Sequence, residues 1–205
     1  MYFFRILTFI VSLGIMSGCS YYPLVLDINK ISGVPETKYA VKKTTTLKMF
    51  PIVDERKHLQ ELGIRENKSG SKKGKLMVSN SPSKKFESDL RLFWDKIGYD
   101  SIITELVSDQ KISAMKIYFK TFTLDSKKTG LFTHKIKCSF IVTIEFPAKE
   151  DKSETKKNYE SVLEKKVLFP TKNVLQKTIK DSWFDILDYI ANDELFKNYA
   201  QAMPQ

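Results

Sequence analysis

Residues 131–146 alternate in polarity over a longer run than any other part of the chain. The even positions are Phe132, His134, Ile136, Cys138, Phe140, Val142, Ile144 and Phe146, and the odd ones are mostly Thr, Lys, Ser and Glu. A repeat of two sends successive side chains to opposite faces, so this segment reads as a long strand with one face on a core and one in water, as in an antiparallel sheet. Cys138 then falls on the buried face and is expected as a small core residue rather than a reactive thiol. His134 shares that face near the strand's start and is expected at the sheet rim, not in catalysis. Lys149–Lys157 is a mixed-charge turn and Tyr159–Phe169 a returning strand, which together predict a long hairpin.

The other segments supply neighbours and cover. Tyr39–Val53 has extended-chain character, with Tyr39, Val41, Leu47, Met49 and Val53 on one face and Pro51 near an edge or strand end. Lys68–Lys75 reads as a flexible basic loop. Ser81 or Ser83 can cap a helix in which Phe86, Leu90, Phe93, Trp94 and Ile97 form one stripe, with Gly98 placed to end it. That aromatic stripe reads as core. Short apolar strands are expected over 102–107 and 112–124. After Pro170, residues 171–191 predict a second amphipathic helix lined by Leu175, Ile179, Ile186 and Ile190, with Trp183 and Phe184 beside them. Asn192 or Asp193 can start a short last helix. The order predicts an α+β fold: an antiparallel sheet with two main helices on one face.

The N-terminus carries different information. Arg5 is followed by an apolar run, Ile6 to Ile15, and then by the small residues Ser17 and Gly18 before Cys19. A charged start, a short apolar run and a small-residue exit make an export signal, and the run is shorter than the roughly 20 residues a membrane helix needs. Met16-Ser17-Gly18-Cys19 resembles the lipobox of bacterial lipoproteins, with Met where Leu is commoner. The resemblance implies cleavage before Cys19, lipid on its thiol, and attachment to a membrane. Ser20, where enteric lipoproteins carry Asp for inner-membrane retention, leans towards the outer membrane. The expected organisation is a signal peptide over 1–18, a lipidated N-terminus and tether over 19–37, and a single domain over 38–205. The apolar start of that tether, Tyr21 to Leu26, is expected either in the membrane interface or packed onto the domain.

Composition narrows the function classes. With Cys19 taken by lipid, Cys138 has no partner for an intramolecular disulfide. His58 and His134 are the only histidines and stand far apart, so no metal site and no cofactor are expected. The formal charge of +10 would suit nucleic acid inside a cell. Export argues against that partner and leaves anionic lipid, lipopolysaccharide or acidic glycan, or simply a soluble lysine-rich surface. Lys68, Lys72, Lys73, Lys75, Lys84 and Lys85 are the candidate anion-binding residues.

One polar cluster stands out: Ile52-Val53-Asp54-Glu55-Arg56, then Leu62-Gly63-Ile64-Arg65. Asp54, Arg56 and Arg65 could form a polar site, or a structural loop in which the acid bonds nearby amides and an arginine holds a carboxylate. A strand ending in Asp-x-Arg, then Leu-Gly-Ile-Arg, a helix ending Ile-Gly-Tyr and extended hairpin strands resembles the YajG family of bacterial lipoproteins over roughly residues 45–146. That resemblance implies an α+β fold and an outer-membrane location, and supplies no catalytic residues. Common enzyme signatures are absent. The expectation is a non-enzymatic, lipid-anchored envelope protein that acts by binding or as an accessory component of an envelope complex. The alternatives are a lysine-rich module for anionic lipid or glycan, and a hydrolase with an unmarked carboxylate pair.

Overall fold

A computed structural model describes residues 23–31, 34–36, 45–104, 113–147 and 155–203. The predicted long strand is β8, His134–Phe146. It pairs antiparallel with β7, Lys116–Lys128, on one side and with β9, Thr155–Val167, on the other, each along nearly its whole length. Ile136, Cys138, Phe140, Val142, Ile144 and Phe146 are all buried, as the alternation requires. Phe132 is exposed instead, because the strand starts two residues later and Leu131 and Phe132 fall in the β7–β8 turn.

Beyond β7 the sheet departs from expectation. It continues through β4, Glu61–Glu66, β5, Lys72–Val78, and β1, Leu24–Leu26, to make a seven-stranded mixed sheet with β3, Val53–Asp54, beside β7. β4 and β5 are antiparallel, but β1 is parallel to β5, and β3 and β4 are both parallel to β7. The cause of the last two pairings is local. β3 and β4 lie on the same edge of β7, at Tyr118–Phe119 and at Ser126–Lys127, so they act as one strand interrupted by the excursion 55–60. A separate parallel pair joins β2, Thr45–Met49, to β6, Tyr99–Ile103. Of the expected strand Tyr39–Val53, residues 39–44 lie outside the described residues; the rest breaks into β2 and β3 around Pro51, which has no amide to donate. Residues 105–112 likewise lie outside them, so of the strand expected over 102–107 only its start appears, within β6.

Two further expectations change. Lys68–Lys75 is not a loop throughout: the turn spans Asn67–Ser71, where the Asn67 carboxamide accepts from the Ser69 and Ser71 amides at 3.1 and 2.8 Å and Gly70 takes φ 83°. From Lys72 onward the chain is β5, whose Leu76 and Val78 are buried. Part of the range expected as a tether belongs to the domain. Leu24–Leu26 is already an edge strand, and Leu26, Ile28 and Ile31 sit in the core.

The helices fall where the periodicity puts them. α1 is Pro82–Ile97, capped by Ser81 and closed by Gly98 at φ 101°. Its predicted stripe is wholly buried. α2 is Lys172–Asn192, capped by Thr171, and α3 is Glu194–Gln201, capped by the Asp193 carboxylate on the Leu195 and Phe196 amides. Phe86 of α1 and Trp183 of α2 meet edge to face at 5.2 Å, and each lies 5.2 Å from the Phe140 ring of β8. Phe196 of α3 stacks on Trp94 at 5.6 Å.

Gly63 belongs to the Leu-Gly-Ile-Arg stretch and shows why that stretch needs a glycine. A Cβ there would come within 2.4 Å of the Leu124 carbonyl oxygen and 2.5 Å of the Asp125 Oδ1 on β7. Replacing Gly63 by Ala should therefore push β4 off β7. The expected cost is about 1–3 kcal/mol in urea unfolding, with amide exchange at Ile64 accelerated and exchange along β8 unchanged.

Candidate functional site

The polar cluster after β3 is closed on itself. Arg56 donates from Nε to Asp54 Oδ1 at 2.9 Å and from Nη2 to Asp54 Oδ2 at 2.8 Å, and Nη2 also reaches the Leu59 carbonyl at 3.0 Å. The guanidinium lies 4.9 Å over the Phe119 ring, and its side chain is only 5% exposed. A fork-to-fork pair laid on an aromatic face is rigid and water-poor. Burial is the largest single influence on Asp54 and opposes its ionisation. The hydrogen bonds from Arg56 and Ser83 and the Arg56 charge together outweigh it, so the carboxyl titrates below its ordinary 3.8. Ser83 is in the first turn of α1, and Glu87 one turn on accepts the Ile52 amide at 2.8 Å. The loop thus fastens β3 to the start of α1.

Arg65 does not join it. It sits on β4 opposite Ser126, while Asp54 sits opposite Phe119, which separates the two backbones by roughly 20 Å along β7 at about 3.3 Å per residue. The six candidate lysines also divide. Lys68 is in the β4–β5 turn, and Lys72, Lys73 and Lys75 are exposed on β5, with Lys75 paired to Glu61 at 2.7 Å. Lys84 and Lys85 are on the first turns of α1, past the opposite end of β5, and Lys85 turns inward to the buried Asp89. Cys19 lies outside the described residues.

Sequence reasoning missed the buried polar contacts between α2 and the sheet. Ser182, fully buried, donates to Ser161 Oγ of β9 at 3.0 Å, and Ser161 donates to Asp185 at 3.0 Å. Cys138 lies beside Ser182, and burial first of all pushes its thiol up to about 12, which keeps it protonated and inert. Burial likewise raises the Asp89 carboxyl, against the pull of Lys85. Small polar residues on a helix's inner face leave no periodic signal that distinguishes these contacts from solvent-facing positions.

Two open recesses mark the surface. One, of about 480 Å³, runs along α1 and β6 among Lys84, Glu87, Arg91, Asp95 and Asp100. The other, of about 270 Å³, lies on the outer face of the sheet between Glu66, Lys127, Lys135 and Glu164. Both mix signs of charge, and in the second Glu66 and Glu164 are paired with lysines while Asp125 accepts the Ile64 amide. Among the described residues, no group of three or more His, Cys, Asp or Glu is arranged to hold a metal, and no helix is long and apolar enough to cross a membrane.

The geometry defines a mixed α/β domain with an open sheet and internally paired polar residues. No family model matches the chain, and no curated protein matches it. Among solved structures it is similar to the protein XCC0632 from Xanthomonas campestris, described with the family model DUF330, at a TM-score of 0.53 and 8% identity, over 89% of this chain and 98% of that one. A structure described as an uncharacterized protein aligns at a TM-score of 0.44 and 12% identity, over 76% and 97% of the two chains. At such identities the likeness to XCC0632 concerns the fold alone.

Because Asp54 titrates below its ordinary value, its pair with Arg56 contributes stability above pH 3.8 that is lost as pH falls through the lowered value. Replacing Asp54 by Asn should cost about 3 kcal/mol at neutral pH, since it strands a buried guanidinium. In urea unfolding across a pH series, the deficit should shrink towards zero at the acid end, where the unaltered protein loses the pair as well.

Proposed function

We propose that this chain is a bacterial envelope lipoprotein, anchored by lipid on Cys19, that acts by binding rather than by catalysis. The observation that carries the reading is the run Met16-Ser17-Gly18-Cys19 directly after a short apolar segment with Arg5 ahead of it. A diacylated cysteine, with a further chain on the new amine, holds a protein to a bilayer far more firmly than one chain can.

The interior supports the binding role. Asp54 with Arg56 holds the loop after β3, Ser161 with Ser182 and Asp185 joins α2 to β9, and Lys85 with Asp89 is a pair within α1 whose acid is buried. Groups committed in this way are poorly placed to exchange protons with a substrate. The surface is the part left for function, and its partner on this reading is another component of the envelope. The resemblance to the YajG lipoproteins and the lean of Ser20 support an outer-membrane location on the same reading.

Intact mass of the protein recovered from bacterial membranes tests the anchor. The expected species lacks residues 1–18 and carries acyl mass at its first residue, and a Cys19→Ala chain carries neither change. Recovery of an unacylated native chain would sink the proposal and its outer-membrane assignment together.

A further inference from the structure

Among the described residues, one end of the sheet combines unpaired lysines with exposed apolar side chains. The rung Lys128–His134–Val167 closes β7, β8 and β9 there. In the same direction β4 ends at Glu66, beside Lys127 and opposite Lys72, where β5 begins. β1 is parallel to β5, so the chain also enters the fold from this side, through Pro23 and Leu24.

The end is basic. Lys68, Lys72, Lys73, Lys128 and Lys166 cluster around it and form no ion pair among the described residues, whereas its acids Glu66, Glu164 and Asp181 are each held by a lysine. The positive field converges on His134: burial first, then Lys128 and Lys73, hold its imidazole below the ordinary 6.5. Lys84 and Lys85 take no part.

The same end carries the four most exposed large apolar side chains among the described residues. Leu131 and Phe132 form the tip of the β7–β8 turn at 75% and 60% exposure, and Leu168 and Phe169 follow β9 at 63% and 62%. Both tips are pinned by backbone bonds: the Thr129 and Gly130 amides donate to the Thr133 carbonyl, and the Thr171 amide donates to the Phe169 carbonyl. Folding brings these two pairs, far apart in sequence, onto adjacent strand ends. Rigid apolar tips ringed by lysines suit the boundary between headgroups and acyl chains, where the ring enters and the ammonium stays with phosphate.

We propose that this end is a membrane-docking surface, on which Leu131, Phe132, Leu168 and Phe169 insert into a bilayer while the surrounding lysines engage anionic phospholipid headgroups. The placement rests on the lipid anchor proposed above. Leu24 is five steps along the chain from Cys19, so whatever the course of the chain between them the lipidated residue lies within about 18 Å of β1 at 3.3–3.6 Å per residue. Six strands at about 4.8 Å spacing span roughly 24 Å. A lipid at one corner of that rim keeps the whole rim against the membrane. The helix ends beyond the far edge of the sheet are then left facing the aqueous space.

The test uses the full lipidated chain in vesicles of phosphatidylethanolamine and phosphatidylglycerol. A nitroxide is placed in turn on Phe132→Cys, Phe169→Cys and Tyr189→Cys. All three sites are exposed, and Cys138 is buried and does not take the label. Residue 189 lies on α2 about 27 Å from the helix start at Thr171, at 1.5 Å per residue, and serves as the distal control. Labels at 132 and 169 should be relaxed severalfold more by oxygen, relative to a water-soluble nickel chelate, than the label at 189. Combining Lys73→Glu, Lys128→Glu and Lys166→Glu should reduce that contrast with acyl mass unchanged. Equal water exposure at all three labels overturns the docking surface. A contrast untouched by the charge reversals overturns the lysine contribution. Absence of acyl mass overturns the anchor instead, and it is read by mass spectrometry on the same samples, so the two failures are distinguishable.

Discussion

The packing of Phe86 and Trp183 on the inner face of the sheet is the contact on which the rest of the structure depends. Phe119 and Phe122 of β7, Phe140 of β8, Phe86 of α1 and Trp183 of α2 form one cluster with ring centroids 5.0–6.4 Å apart. Aromatic side chains bury the most area per residue, and edge-to-face contacts add to that burial. Here they also join elements far apart in sequence. The two long strands, the helix before them and the helix after them meet at a single point, and β3 and β4 take the edge of β7 that this core leaves open, with β5 and β1 beyond β4.

Around the cluster, polar residues work as fasteners. Asp89 sits in the core with Lys85 one turn behind it, at the cost of a carboxyl pushed above its ordinary range. Arg56 covers the Phe119 ring and holds Asp54, which extends the cluster to the loop after β3. Ser161 and Ser182 link β9 to α2. These interior contacts are made within the protein itself, and the surface carries what is left for function. Lys156, Glu160, Glu164 and Lys166 on β9 keep that edge strand charged, which discourages pairing with another chain. The four most exposed large apolar side chains among the described residues, Leu131, Phe132, Leu168 and Phe169, stand instead just beyond the strand ends.

The legible parts of the sequence were those with an unbroken period. The alternation over β8 and the stripe on α1 each returned the buried face residue by residue, because one repeat sufficed to separate core from solvent. β5 was read as a loop because Gly70, Gly74 and four nearby lysines obscure a short alternation that holds only at Leu76 and Val78. For β1 the two expectations, membrane interface or packing onto the domain, resolve to the second, and three residues are too few to show that by a period. The parallel pairings had no local signal at all. Whether an edge is filled from one direction or the other is decided by the neighbour already in place.

The chain's own residues, taken in order, determined its two main helices, its long hairpin strands and the buried cysteine, because each depends on a local period or a short contiguous motif. Only the tertiary structure decided that β3 and β4 share one edge of β7, that Asp54 belongs with Arg56 and not with Arg65, and that Leu131, Phe132, Leu168 and Phe169 rise together from one lysine-ringed end. Those outcomes depend on register between strands distant in sequence, and register is settled by the fit of the whole core rather than by any segment within it.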